Sequence, residues 1–136
     1  GRRTAPSAVN WQEIEIYVAL AEGVYLYDAP SHTLKPVAAG DLRAATGAQP
    51  FVAQAPVNLV YVADTAKARA MKPEETTLFT AADAGFIGQN VYLFCASEGL
   101  ATVFRGMVDR EALSKTLQLR PAQRILFAQT VGYPKK

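Results

Sequence analysis

The stretch TTLFTAADAGFIGQNVYLFCASEGL, residues 76–100, decides the fold. Leu78, Ala82, Phe86, Leu93 and Ala96 recur at helical spacing, and Phe79, Val91 and Cys95 widen the stripe. That period belongs to a helix, and a stripe so broad implies burial on more than one side. Gly85 and Gly88 interrupt it, each costing about 1 kcal/mol against alanine. Close approach of another helix or of a ligand is expected to offset that cost. Gly99 supplies the C-terminal stop.

After this helix, ATVFR at 101–105 reads as a short strand or extended loop ending at Gly106. Asp109 then caps a second helix, REALSKTLQL, closed by Pro121, and RILFAQTVG at 124–132 is a strand. Before the long helix, VNLVYVA at 57–63 is a compact run suited to a central, buried strand. A polar connection, 64–74, separates the two. Further upstream, EIEIYVAL at 13–20 alternates charged and apolar side chains, the period of a strand with one wet face. Gly23 and VYLY at 24–27 complete a hairpin, and TLKPV at 33–37 suits a third strand at an edge, where Pro36 is tolerated. DLRAAT at 41–46, with Asp41 as cap and Gly47 as stop, predicts a short helix. A loop follows at 48–56, with one helical turn at PFVAQ. The order β-β-(β)-α-β-α-β-α-β predicts an α+β fold with helices covering a sheet.

The chain has 136 residues, half of them hydrophobic, the size of one domain. Fourteen basic and twelve acidic residues are evenly spread, giving a net charge of +2 and no basic stripe for nucleic acid. One cysteine, Cys95, excludes an intrachain disulfide, and together with one histidine, His32, it excludes the common zinc ligand sets. No apolar run reaches the roughly 18 residues that cross a membrane. The chain begins with Gly1 rather than Met, so it does not settle whether a targeting segment precedes it. The expected compartment is the cytoplasm, with export after signal-peptide removal left open.

Conventional catalytic constellations are missing. Ser7, Ser31, Ser97 and Ser114 lie outside any GxSxG elbow, and Cys95 sits on the apolar stripe as a packing residue. Glu13 and Glu15 read as the solvated face of a strand, and Glu74 and Glu75 as helix N-terminal charges. His32 reads as a surface turn residue. Neither GxGxxG nor GxxxxGK[ST] occurs. Two segments fit these readings less well. TAPSAVNWQ, residues 4–12, offers small side chains, a hydroxyl and amides in an irregular stretch able to approach a planar ligand. SEGLATVFRG, residues 97–106, joins a helix stop to an extended run ending in Arg105-Gly106.

Four blocks, in order, give the chain a resemblance. RTAPSAVNWQEIEIYV resembles the APS-x-x-N-x-Q segment and following strand of the nitroreductase family of flavin enzymes. GVYLYD with HTLKPV resembles the hairpin of its azoline-oxidising dehydrogenase branch. AADAGFIGQNVYLFCASEGLATVFRG resembles the family's long central helix, and AQTVGYP its closing strand. The resemblance implies a central antiparallel or mixed sheet flanked by helices, a homodimer, and FMN at the subunit interface. NAD(P)H is a possible electron donor, and a small molecule the substrate. The segment containing Pro6, Ser7, Ala8 and Asn10 would line the flavin ring and ribityl chain. Val103, Phe104, Arg105 and Gly106 would pass the redox edge, with a backbone amide of Arg105 or Gly106 donating to N5. Hydride would then transfer through N5 in ping-pong order, and the Arg105 side chain could steer an anionic substrate or stabilise the reduced ring. Gly85 and Gly88 would pack against the partner helix.

The family's arginine-rich opening, which grips the FMN phosphate, has no counterpart here. Residues 1–136 are therefore expected to be a nitroreductase-like domain lacking its N-terminal helices, about sixty residues by usual domain size. A separate N-terminal piece is a possible partner. Lys135 and Lys136 read as a solvated tail. The alternative reading is a non-catalytic dimerisation or binding module that keeps the fold and has lost its flavin.

Overall fold

The computed structural model describes residues 2–68 and 71–135; Lys136 lies outside them. Six strands form one sheet: β1 (Ile14–Leu20), β2 (Gly23–Asp28), β3 (Thr33–Ala39), β4 (Val57–Asp64), β5 (Ala101–Arg105) and β6 (Gln123–Gly132). Their order is β3-β2-β1-β4-β6-β5, and among the described residues every neighbouring pair is antiparallel. Two helices flank it, α1 (Pro73–Glu98) and α2 (Arg110–Thr116).

Strand β4 takes the interior place that its VNLVYVA run predicts. Its side chains alternate between two cores, as strand pleating requires. Val60 and Val62 join Tyr17, Leu113, Leu117 and Ile125 on the α2 side. Tyr61 and Ala63 join Ile14 and Ala84 on the α1 side, with Phe104 and Phe127 packed against them. Proline 36 sits on the edge strand β3, opposite Tyr25. Helix α1 has Pro73 in its first turn beside Glu74 and Glu75 and ends at Gly99, which adopts φ 69°. The carbonyl of Cys95 accepts the Leu100 amide at 2.9 Å, closing the last turn. Asp109 caps α2 by accepting the Ala112 amide at 3.1 Å.

Several expectations are corrected. DLRAAT forms only a single 3₁₀ turn, Arg43–Thr46, because Asp41 clamps the Arg43 side chain in a 2.8 Å ion pair and Gly47 leaves in extended backbone. Helix α1 starts earlier than its apolar period suggests, and α2 stops at Thr116. The apolar stripe of α1 also faces the other way. Leu78, Phe86 and Leu93 are 65%, 47% and 60% exposed. The buried face is Thr76, Thr80, Asp83, Ala84, Gly88 and Cys95. The sheet selects small residues here because the helix comes close to it. A Cβ on Gly88 would stand 2.5 Å from the Phe104 ring, so its close neighbour is an aromatic of the same chain. Nothing lies within 4 Å of a Cβ on Gly85. Cys95 is buried, as its place on the helix implies, and burial pushes its thiol pKa up.

Candidate functional site

The opening segment is held in an uncommon backbone conformation. Val9, Asn10 and Gln12 have φ of 48°, 53° and 51°. For a β-branched residue such as Val9, that left-handed region costs roughly 1–3 kcal/mol, and such conformations cluster at ligand sites. The surroundings fix it. Both carboxylate oxygens of Asp83 accept the Ala8 amide, at 3.2 and 3.1 Å. The Ser7 hydroxyl oxygen accepts the Gln12 amide at 2.9 Å. Seven residues further along α1, Asn90 donates to the Thr4 hydroxyl at 3.2 Å. Lys67 donates to the Gln12 carbonyl at 3.4 Å. The segment thus runs across about two turns of α1. A concavity of about 790 Å³ opens between it, α1 and the first two strands, walled by Pro6, Ser7, Ile16, Tyr27, Ile87 and Phe94. That volume is in the range of small-molecule sites.

Beneath this segment lies a pair of buried acids. Glu13 is fully buried and Asp83 is 2% exposed, so Glu13 does not belong to a solvated face. Strand β1 begins only at Ile14, and left-handed Gln12 breaks the alternation that the sequence implied. Among the described residues, neither Glu13 oxygen receives a donor at normal hydrogen-bond geometry. Its carboxyl faces that of Asp83; burial first, then this neighbour, pushes its pKa up to about 8. Lys67 opposes the shift. Glu15 is half-buried and accepts from Gln123 at 2.8 Å.

The second segment lies along β5, an edge strand. The Phe104 amide points away from β6 and donates to the Tyr92 hydroxyl on α1 at 2.7 Å. Strand alternation turns the Arg105 amide towards β6 and leaves the next outward amide to Gly106. Val103 and Gly106 are exposed, and Phe104 is half-buried, stacked on Tyr61 at 5.6 Å. Arg110 steadies the turn by donating to the Gly106 carbonyl at 3.2 Å and that of Leu126 at 2.6 Å.

The Arg105 side chain points into the protein, only 5% exposed. It donates to the Thr130 hydroxyl at 2.8 Å, the Thr46 carbonyl at 2.5 Å, the Thr46 hydroxyl at 3.2 Å and Asn58 Oδ1 at 2.9 Å. All four acceptors are neutral, and burial lowers its pKa. A guanidinium so enclosed does not steer substrate; that expectation fails. Gly47 makes room for it, since a Cβ there would overlap Nη1.

Within one chain, the two sequence-predicted segments meet α1 at different side chains, the first at Asp83 and Asn90 and the second at Tyr92. Pro6, Ser7, Ala8 and Asn10 gather on α1 at Asp83, whereas Val103, Phe104, Arg105 and Gly106 follow the far edge of the sheet. Asp83, Glu13, Tyr92 and Gly47 were not singled out as site residues by the sequence. The one available signal was Asp83, a carboxylate amid the apolar positions of a helix. Tyr27 and His32 form a 2.8 Å hydrogen bond at the β2–β3 turn, with His32 exposed as its turn position implies.

The sequence profile described as "Nitroreductase family" matches residues 2–133. The chain belongs to the nitroreductase family. A nitroreductase-family crystal structure from Ralstonia eutropha JMP134, itself named only as a candidate enzyme, is 41% identical with a TM-score of 0.92. That likeness covers 98% of this chain and 64% of the other. A candidate nitroreductase of Methanocaldococcus jannaschii is 28% identical over 130 residues, 88% of this chain and 66% of the relative. The NADPH:FMN oxidoreductase of Vibrio harveyi, solved with NAD+, shares the fold at a TM-score of 0.70 and 24% identity, covering 98% and 55% of the two chains. This nitroreductase-family chain thus spans about two thirds of the length of the first two. Its antiparallel sheet and flanking helices are the family's α+β fold. Among the described residues, no helix is long and apolar enough to cross a membrane.

Proposed function

We propose that this chain is part of an FMN-dependent oxidoreductase acting as a homodimer, with the opening segment of one copy and the end of β5 of the other flanking one flavin. The observation that carries the reading is the Asp83-held segment, with three left-handed residues at the wall of a concavity, in a chain of this family. Such strain persists only where its surroundings determine it, and Asp83, Ser7 and Lys67 do so here. The exposed Leu78, Phe86, Leu93 and Phe94 of α1 form an apolar surface suited to a second copy.

The residues present fit the group at two places. Gly106 offers an outward amide and no Cβ to hinder close approach. The Ser7 oxygen already accepts from Gln12, so its hydrogen is available to a ligand acceptor. Pro6, Ala8 and Asn10 would line the ring and ribityl chain; Val103 and Phe104 would flank the Gly106 amide at N5. When bound, FMN would supply the redox chemistry, with NAD(P)H as a donor, a small molecule as the second substrate, and ping-pong order. The chain's share is position and electrostatics. Tyr92 pins the edge strand, the Arg105 network fixes β5 from beneath, and the Gly106 dipole points outward. Asp83 aligns the segment carrying Ser7. Azoline oxidation is the branch-level form of this reading.

The test is purification of the intact protein, absorbance near ~450 nm, and mass spectrometry of the released chromophore. Stoichiometric FMN on a dimer is the expected result. A colourless dimer that takes up no added FMN would establish the flavin-free binding module instead.

A further inference from the structure

We propose that Glu13 and Asp83 share a single proton, and that this proton clamps residues 5–12 onto α1, so that its loss releases the segment. The release concerns this chain alone; its consequence for cofactor binding rests on the functional reading above.

The geometry is specific. Asp83 uses both oxygens on one backbone amide, Ala8, which a carboxylate does best while it is charged. Glu13, directly after left-handed Gln12, has no donor at hydrogen-bond geometry on either oxygen among the described residues, and its carboxyl faces that same carboxylate. Two ionised carboxylates so enclosed repel each other, and one proton between them turns repulsion into an acid-to-carboxylate hydrogen bond. Glu13 carries the proton, because Asp83 already has an amide to accept.

Among the described residues, the other charged groups around the pair do not replace it. Lys67, in the turn after β4, favours the ionised form of Glu13 but gives its ammonium to the Gln12 carbonyl at 3.4 Å. Asp64 receives Arg120 at 3.4 Å, and its amide donates to the Glu13 carbonyl rather than to the carboxyl. Glu15 is bound to Gln123. When the proton leaves to solvent, the stretched partner is the Asp83–Ala8 bond, since α1 and β1 are fixed in the core by Ala84 and Ile14. Asp83 and Glu13 are thus positioning residues for the segment that presents Ser7.

The experiment follows amide exchange of residues 5–12, corrected for the intrinsic pH dependence, together with Trp11 emission. It uses the full-length protein freed of ligand, from about pH 6 to about pH 10. Wild type is expected to lose about tenfold protection at Ala8 with a midpoint near the raised Glu13 value. Glu13→Gln and Asp83→Asn each remove one charge and should hold protection flat across the range. If one of them fails to fold, the other decides. Asp83→Ala should expose the segment at every pH. Protection in wild type that is constant with pH, or that falls equally in both neutral variants, overturns the shared proton. Added FMN separates the two readings. Binding that weakens with the same midpoint in wild type alone supports both. A segment transition without FMN binding at any pH sustains the clamp and refutes the flavin assignment.

Discussion

Substituting Gly47 by alanine tests whether the Arg105 network holds β5 in place. Gly47 has φ 176° and ψ 165°, extended backbone open to any residue, so the reason for glycine is steric. A Cβ would overlap Arg105 Nη1 and lie 2.9 Å from Cζ and 3.1 Å from Val52. The guanidinium is the group that has to move. Moving it forfeits its bonds to the Thr46 carbonyl and hydroxyl, at 2.5 and 3.2 Å. Hydrogen bonds from charged donors contribute about 1.5–3 kcal/mol each, and partial rescue by water brings the expected loss to about 3 kcal/mol. Arg105→Met forfeits all four bonds but also removes a buried cation with no acidic partner, for a loss of about 2–3 kcal/mol. In the double variant the obstacle is gone. Gly47→Ala should then cost under about 1 kcal/mol, a coupling of at least about 2 kcal/mol. Urea unfolding of the four proteins measures this by linear extrapolation. A Gly47→Ala protein within about 0.5 kcal/mol of wild type would refute the reasoning, as would costs that simply add.

Gly88→Ala should drive a methyl group into the Phe104 ring, costing about 1–3 kcal/mol by overpacking, and should shift the amide resonances of 103–106; wild-type stability with unmoved resonances would contradict it. The folded-state pKa of Glu13 is raised from 4.5 to about 8, so its stabilising contribution is complete below pH 4.5 and is lost as pH rises through that window. Glu13→Gln should match wild type in unfolding free energy near pH 4.5 and exceed it above pH 8. The linkage ceiling is about 5 kcal/mol, and about 2 kcal/mol is expected once relaxation is allowed; parallel pH profiles would exclude the shift. Asp109→Ala removes the cap on the Ala112 amide and should cost about 1 kcal/mol, read as a lowered urea midpoint; an unchanged midpoint would show that water replaces the cap.

Strand positions were legible where hydrophobic content and period agree. VNLVYVA is apolar on both faces because β4 has a core on each side. The hairpin and the Gly99 stop follow from local backbone preferences. The existence of α1 was equally plain, but its orientation was not. Large apolar side chains ordinarily mark the inner face, whereas this sheet takes Thr80, Ala84 and Gly88 because Phe104 stands so close. DLRAAT carries capping signals, yet Gly47 has to pass the Arg105 guanidinium after a single turn. The site divides in the same way. Segments 4–12 and 97–106 stood out in the sequence, and the resemblance gave each its proposed role. It did not reveal the buried acids beneath the first or the buried cation behind the second. Strand alternation placed Glu13 outside, and it fails at left-handed Gln12. Arg105 resembled a surface cation because Thr46, Asn58 and Thr130 are distant in sequence and neutral.

The central claim is that two segments separated by about a hundred residues meet one ligand across a twofold axis. Hydrogen–deuterium exchange of the full-length protein, with and without saturating FMN, tests it most directly. Protection should rise in both the Ser7 segment and the stretch around Gly106, with α1 unchanged along its sheet-facing side. Protection confined to one of the two segments, or to neither while FMN is bound, would contradict the account.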